Sequence, residues 1–419
     1  MSFVEKRDVF RPSTGEAPFR IDEIFFSRTD KRGVIKSANY IFKRVAGFEW
    51  EDLLGAPHKL IRHPDMPKGV FWLFWQALNS GQPIGAYVKN KAKDGLFYWV
   101  FAVAMPFQGG FLSVRIKPTS KTLKLIEKEY ETLRAAEIDD KLTPEESATI
   151  LLERIQTLGF EDYQAFSSDA LMQELAARDV AMELPVNTTV SLFKDMVEAS
   201  DKLKSETAAL TVGFDAISTV PTNMRIIAAR LEPSGGAISS LSQNYWEMSE
   251  EMSRWFQNYV SGSSSDFSAI RNTLVESQFL CGTVRILKEV ALKFNEERRS
   301  LGGVDVTTEK NQMNDMAAEF IELEKTGLQK VANEAEQILR AIAMMRRFTL
   351  GLSSTRVMCN IESARLPSGG GSLIDVIDQL EVFQGNLEGQ MDQIEMQSHC
   401  ISENAIALLS SEGGPMRRS

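Results

Sequence analysis

Between Ile24 and Pro118 the chain alternates short extended runs with residues that favour tight turns. Asp30-Lys31-Arg32-Gly33 separates Ile24–Ser27 from Val34-Ile35-Lys36-Ser37, which predicts a hairpin. Asn39 is placed to open a short helix, and Gly47 to Gly55 frames a second. Asp94-Gly95 divides a run that begins at Ala86 from Leu96-Phe97-Tyr98-Trp99-Val100-Phe101, a second hairpin signal. Gly109-Gly110-Phe111-Leu112-Ser113-Val114-Arg115-Ile116 closes the set. One antiparallel sheet with short helices packed across it needs about a hundred residues, which this stretch supplies.

The pattern changes at Ser120. Leu123, Ile126, Tyr130 and Leu133 recur on one face of a helix, and Thr143-Pro144-Glu145-Glu146 has the form of a capping box that starts another. Gly159 and a Ser167-Ser168-Asp169 cap are expected to divide the residues that follow. Beyond Pro185 lie long helical stretches with two similar breaks. Ile226-Ile227-Ala228-Ala229-Arg230-Leu231-Glu232-Pro233-Ser234-Gly235-Gly236 and Ile361-Glu362-Ser363-Ala364-Arg365-Leu366-Pro367-Ser368-Gly369-Gly370 match at a constant offset of 135 residues. Each reads as a helix stopped by a Pro/Ser/Gly turn and followed by an antiparallel return, and two such hairpins make a four-helix bundle. Trp246, Met248, Met252 and Trp255 fall at helical spacing and are expected in the seam. The expected layout is an N-terminal extension over 1–18, a sheet domain over 19–119 and a helical connector over 120–184. A first hairpin covers 185–300 with its tip near 231–237, a second covers 301–412 with its tip near 366–372, and a flexible tail occupies 413–419.

Composition narrows the class. With 43% hydrophobic and 25% charged residues the 419-residue chain is ordinary for a soluble protein of two or three domains. A net charge of -10 without a segregated basic patch argues against nucleic acid and anionic membrane surfaces as partners. Cys281, Cys359 and Cys400 are odd in number and far apart, which fits a reducing compartment, and no metal-ligand spacing is visible. Nothing resembles a secretory signal, and no eighteen apolar residues run together, so the expected location is cytoplasmic.

The chemistry concentrates at Ile61-Arg62-His63-Pro64-Asp65-Met66-Pro67-Lys68, a proline-stiffened polar patch leading into Phe71-Trp72-Leu73-Phe74-Trp75. A fork-shaped cation, an imidazole and a carboxylate beside an aromatic wall suit a planar ligand with a polar edge. From Pro57 to Trp72, and again from Gly81 to Pro106, the chain resembles the flavin-binding PAS domains of aerotaxis receptors, with the likeness running from Phe19 to about Glu137. That resemblance implies an α+β PAS domain followed by an all-α antiparallel helical bundle. It also implies FAD held by the positions matching Asn39, Arg62, His63, Asp65, Phe71 and Asn90, all of which are present. Ile84 departs from it, standing after Gln82-Pro83 where the family carries a tryptophan that adds a stacking surface. Haem is the alternative cofactor, with His58 or His63 as axial ligand. Independently of the family, Asp65 is placed to cap a helix starting at Met66-Pro67.

The two breaks resemble the hairpin tips of methyl-accepting chemotaxis receptors. Ile361, Glu362, Ala364, Arg365, Gly370 and Asp378 are retained in the second, and Ile226, Ala228, Ala229, Arg230 and Gly235 in the first. The family glutamate is Ile227 in the first copy, and the arginine after the tip glycine is Gly236 or Gly371. This likeness implies a chemotaxis histidine kinase and its coupling protein as partners, with Arg230, Glu362 and Arg365 as contact residues, and self-association between bundles. No nucleophile elbow, phosphate loop or dinucleotide fingerprint is present, since neither Gly-rich break follows a strand; a signalling role is expected in place of catalysis.

Overall fold

The computed structural model describes residues 10–185, 187–217, 220–230, 236–256, 266–296, 306–365 and 371–411. The first of these ranges opens with β1 (Phe25–Asp30), β2 (Ile35–Ala38), α1 (Tyr40–Ala46) and α2 (Trp50–Leu53). A single 3₁₀ turn over His58–Ile61 leads to α3 (Lys68–Asn79), β3 (Ile84–Lys91), β4 (Phe97–Phe107) and β5 (Gly110–Ile116). The five strands form one antiparallel sheet in the order β2-β1-β5-β4-β3. The turn joining β1 to β2 is closed by the Asp30 carboxylate, which accepts from the N–H groups of Arg32 (2.9 Å) and Val34 (3.0 Å). Gly33 takes φ of 75° there, a value that strains any residue with a Cβ.

Helices α4 (Lys121–Asp139), α5 (Pro144–Thr157) and α6 (Tyr163–Ala181) follow. Ile126, Tyr130 and Leu133 are buried as their spacing predicts, and both halves of the Thr143–Glu146 capping box form. Two local expectations fail. Asp162 caps α6, so Ser167, Ser168 and Asp169 lie inside that helix, with Ser167 and Ser168 buried. Their hydroxyls bond across to Gly85 N–H (2.9 Å) and to the Val275 carbonyl (3.0 Å), a tertiary use of residues that in isolation favour caps. Likewise α3 is not capped by Asp65. Its N-terminal N–H groups, on Lys68 and Gly69, are taken by the buried carboxylate of Glu137 from α4.

The rest of the described chain is α7 (Thr188–Ile217), α8 (Val220–Arg230), α9 (Gly236–Phe256), α10 (Asp266–Glu296), α11 (Val306–Ala364) and α12 (Gly371–Ser411). Two compact units result: Met1–Val190 with Val275–Lys325, and Ser191–Leu274 with Thr326–Ser419. In the first, the C-terminal part of α10 packs on α6, where the Arg178 guanidinium, 1% exposed, makes a bidentate pair with Glu289 (2.7 and 2.6 Å). In the second, α8 packs on α9, and Ser242 Oγ donates to the Pro221 carbonyl at 2.6 Å. Arg346 pairs with Asp392 and Glu395, whereas the later Arg356 pairs with the earlier Glu381, so α11 and α12 run antiparallel. Met252 is buried as expected of the seam, but Trp246 is exposed, with the Arg225 guanidinium over its ring. The tip residues 231–235 and 366–370, and the tail from 412, lie outside the described residues. Among the described residues no helix is long and apolar enough to cross a membrane, and no cluster of His, Cys, Asp or Glu could hold a metal ion.

Candidate functional site

Strand alternation sets the floor of the site. Phe111, Ser113 and Arg115 share one face of β5. Their cross-strand partners, Ala104 and Ala102 on β4 and Thr29 and Ser27 on β1, lie on the same face. Val88 and Asn90 of β3 continue it. The two alanines leave room in mid-sheet, and α3 with the 3₁₀ turn covers that room with Phe71, Phe74, Trp75, Leu78, His58 and Arg62. The result is a cavity of about 300 Å³, at the lower end of small-molecule sites, sized for a ring system. Trp75 meets Phe111 edge-on at 5.4 Å between centroids, so the wall is fixed by aromatic contacts.

The floor carries an unusual charge. Arg115 is 4% exposed, and burial lowers its pKa to about 10, leaving it cationic at neutral pH. Its Nη2 donates to Ser27 Oγ (3.1 Å) and meets His58 Nε2 (2.6 Å), while Nη1 has no partner. His58 stacks on Phe42 and is held neutral: burial foremost, then the charges of Arg115 and Arg62, push its pKa well below the usual imidazole value. Asn90 Nδ2 and Ser113 Oγ are also buried without hydrogen-bond partners among the described residues. Three unmet polar groups on one cavity lining can offer hydrogen bonds to an occupant.

The six residues singled out from the sequence divide into two groups. Arg62, Phe71 and Asn90 line the cavity; the Arg62 guanidinium lies 3.4 Å from the centre of the Phe71 ring, and residues 62 and 90 form an isolated β-bridge. Burial lowers the Arg62 pKa. His63 and Asp65 lie outside the cavity, in the loop that leads into α3. His63 Nδ1 accepts from the Asp65 N–H at 3.2 Å and lies 3.3 Å from its carboxylate. That carboxylate pairs with Lys89 Nζ at 2.8 Å, which lowers its pKa. Burial lowers the pKa of His63, helped by Lys89 and Lys91 and opposed by Asp65. Asn39 caps α1: its Oδ1 accepts from Phe42 and Phe26 N–H (both 3.2 Å), and its Nδ2 donates to the Ile24 carbonyl (2.8 Å). It positions β1 against α1 and does not reach the cavity lining.

Ile84 is not part of the cavity lining and faces a separate hollow beside Pro83 and Tyr163, although its cross-strand partner Ala104 does line the cavity. The histidines offer little to a haem iron, because Nε2 of His58 faces a guanidinium and His63 lies outside the lining. Arg115 and Ser113 were not anticipated. Their signal was the alternation Phe111-x-Ser113-x-Arg115 opposite Ala102-x-Ala104, polar residues on a face that has to be internal.

Of the residues resembling receptor tips, Glu362 and Arg365 pair with each other at 2.7 Å. Arg230 is the last residue of α8, and its side chain lies outside the described residues.

Residues 35–112 match the family model described as PAS fold. Over 130 residues the chain is 35% identical to the aerotaxis receptor of Escherichia coli (strain K12), which covers 30% of this chain and 26% of that protein. The match therefore spans about a quarter of the relative's length. Solved structures similar to it include the PAS domain of a protein from Colwellia psychrerythraea (20% identity, 23% of this chain and 86% of that one, TM-score 0.20). The light-state structure of the blue-light photoreceptor Aureochrome1 LOV is another (16% identity, 26% and 90%, TM-score 0.23). The chain thus carries a PAS domain related in sequence to an aerotaxis receptor, followed by long helices.

Proposed function

We propose that this protein is a cytoplasmic redox or oxygen sensor in which the PAS cavity holds the ring of FAD and the helices carry its state to chemotaxis signalling proteins. The observation that carries this reading is the cavity itself, with unmet donors on the floor and an aromatic wall above. Its volume suits the ring of FAD and not the whole cofactor. In this reading Phe71, Asn90 and Arg62 would hold the cofactor, and His63, Asp65 and Asn39 would keep the surrounding backbone in place. A bound flavin supplies a change in charge and hydrogen bonding at its ring on reduction.

The route outward begins at α3, which bears Phe71. Glu137 accepts from the first N–H groups of that helix and from Ser147 Oγ at 2.6 Å, and pairs with Arg134 at 2.8 Å. Arg134 Nε in turn donates to the Pro64 carbonyl of the site loop at 3.0 Å. A shift of α3 or of that loop therefore acts directly on α4 and α5. At the other end of α4, Glu174 from α6 accepts from Thr119 and Ser120 N–H and from Tyr87 OH, so both ends of this helix are tied to buried carboxylates. The signal is then delivered to a histidine kinase and its coupling protein, with Arg230, Glu362 and Arg365 as contact residues.

The test is the absorption spectrum of the purified full chain, with release and identification of any chromophore. A flavin spectrum that bleaches with dithionite and is lost in Arg62→Ala is the expected result. A Soret band would replace the assignment with haem. A protein that stays colourless after addition of FAD would end the redox reading and leave a docking role for the PAS domain.

A further inference from the structure

Arg115 has no carboxylate partner among the described residues, and its two acceptors, Ser27 Oγ and His58 Nε2, are neutral. A fold gains little from such a residue, since a well-packed apolar side chain of similar volume in place of a buried charge is commonly neutral or stabilising. Arg115 lines the cavity, so an occupant there can supply what it lacks. Its free Nη1, Asn90 Nδ2 and the Ser113 hydroxyl belong to residues lining the same floor, and among the described residues none of these atoms has a hydrogen-bond partner. Two of these groups are fixed donors and the third can donate, so the occupant presents acceptors. The charge on Arg115, set against a neutral imidazole, calls for an acceptor edge that is negative.

We infer that Arg115, Ser113 and Asn90 are the specificity-determining edge of the cavity, selecting a planar heteroaromatic ligand by an anionic acceptor edge and holding its anionic form more tightly than its neutral one. The identity of the ring rests on the flavin reading; the requirement for negative charge does not. Two electrons and one proton added to a neutral flavin leave one net negative charge on the ring, and Arg115 favours that form.

The experiment compares wild type with Arg115→Met and Arg115→Lys in the full chain, by spectroelectrochemical titration with FAD bound and by thermal unfolding of the apoproteins. In Arg115→Met the ratio of affinities for reduced over oxidised FAD is expected to fall at least tenfold, about 30 mV in a two-electron midpoint potential. Arg115→Lys should restore most of it. Apo Arg115→Met is expected to melt above the wild type, because an uncompensated buried cation has been removed. With FAD bound the potential decides: a midpoint unchanged in Arg115→Met overturns the inference and leaves the flavin reading standing. If the wild type takes up no FAD, the flavin reading fails and the apoproteins decide. A higher melting temperature for Arg115→Met then upholds a cation reserved for an anionic ring of other chemistry, and a lower one makes Arg115 a structural residue and overturns the inference.

Discussion

Glu137 offers a sharp test of how the site helix is held. Its side chain is fully enclosed, and one carboxylate serves the Lys68 and Gly69 N–H groups, the Ser147 hydroxyl and the Arg134 guanidinium. Glu137→Ala leaves the Lys68 N–H and the Ser147 hydroxyl without acceptors, while Gly69 keeps a 3.2 Å bond to Ser147 Oγ. Each orphaned buried donor costs about 1–3 kcal/mol, and loss of the anion at a helix N-terminus adds roughly 0.3–1 kcal/mol. The expected total is about 3–5 kcal/mol, in the range for breaking a buried charge pair. Glu137→Gln keeps one acceptor oxygen and the side-chain shape, and should lose about 1–2 kcal/mol. Hydrogen exchange by mass spectrometry reads this at the start of α3. Since about 1.4 kcal/mol is a factor of ten, protection of residues 68–70 should drop by roughly two to three and a half orders of magnitude in Glu137→Ala and by about one in Glu137→Gln. Protection within threefold of wild type in Glu137→Ala would show that α3 is held by packing alone and would remove the proposed route from the cavity to α4.

Gly69→Ala should be as damaging as a polar deletion: an added Cβ would meet the backbone of Ser147 and Ala148 at 2.5 Å, so α3 and α5 must part, at a cost of about 1–3 kcal/mol or more, measured by denaturant unfolding. Arg62→Ala removes the contact with the Phe71 ring, about 0.5–2 kcal/mol at a part-buried site, and should leave the melting temperature within a few degrees while abolishing retention of FAD on gel filtration. His58 predicts a pH dependence. Its folded pKa lies below its unfolded value near 6.5, so the unfolded chain binds the extra proton first as pH falls. Stability is therefore fully present above the unfolded pKa and declines below it, by up to about 1.4 kcal/mol per pH unit, until the depressed folded pKa is passed. Unfolding free energies at pH 7.5, 6.5 and 5.5, as set points of about that spacing, should slope in the wild type and less steeply in His58→Asn, where His63, whose pKa burial also lowers, keeps part of the slope; an equal slope in both would place the titration elsewhere.

What the amino-acid sequence determined by itself was local in physical origin. The Asp30–Gly33 and Asp94-Gly95 turns, the Asn39 cap and the Thr143–Glu146 capping box each rest on hydrogen bonds made within about four residues, and each forms. The apolar period of α4 was readable for the same reason, as was the concentration of chemistry at residues 61–75. Tertiary structure decided whatever depended on partners far along the chain. Asp65 lost the cap of α3 to Glu137, which sits 69 residues from Lys68. Ser167 and Ser168 became buried cross-links inside α6 because their acceptors and donors came from β3 and α10. Ile84, read as a missing part of the ligand wall, lines another hollow, while Arg115 and Ser113 entered the site through strand register. Register is a property of paired strands, and a buried charge reveals itself only when the elements above it close; neither is written in any short window of residues.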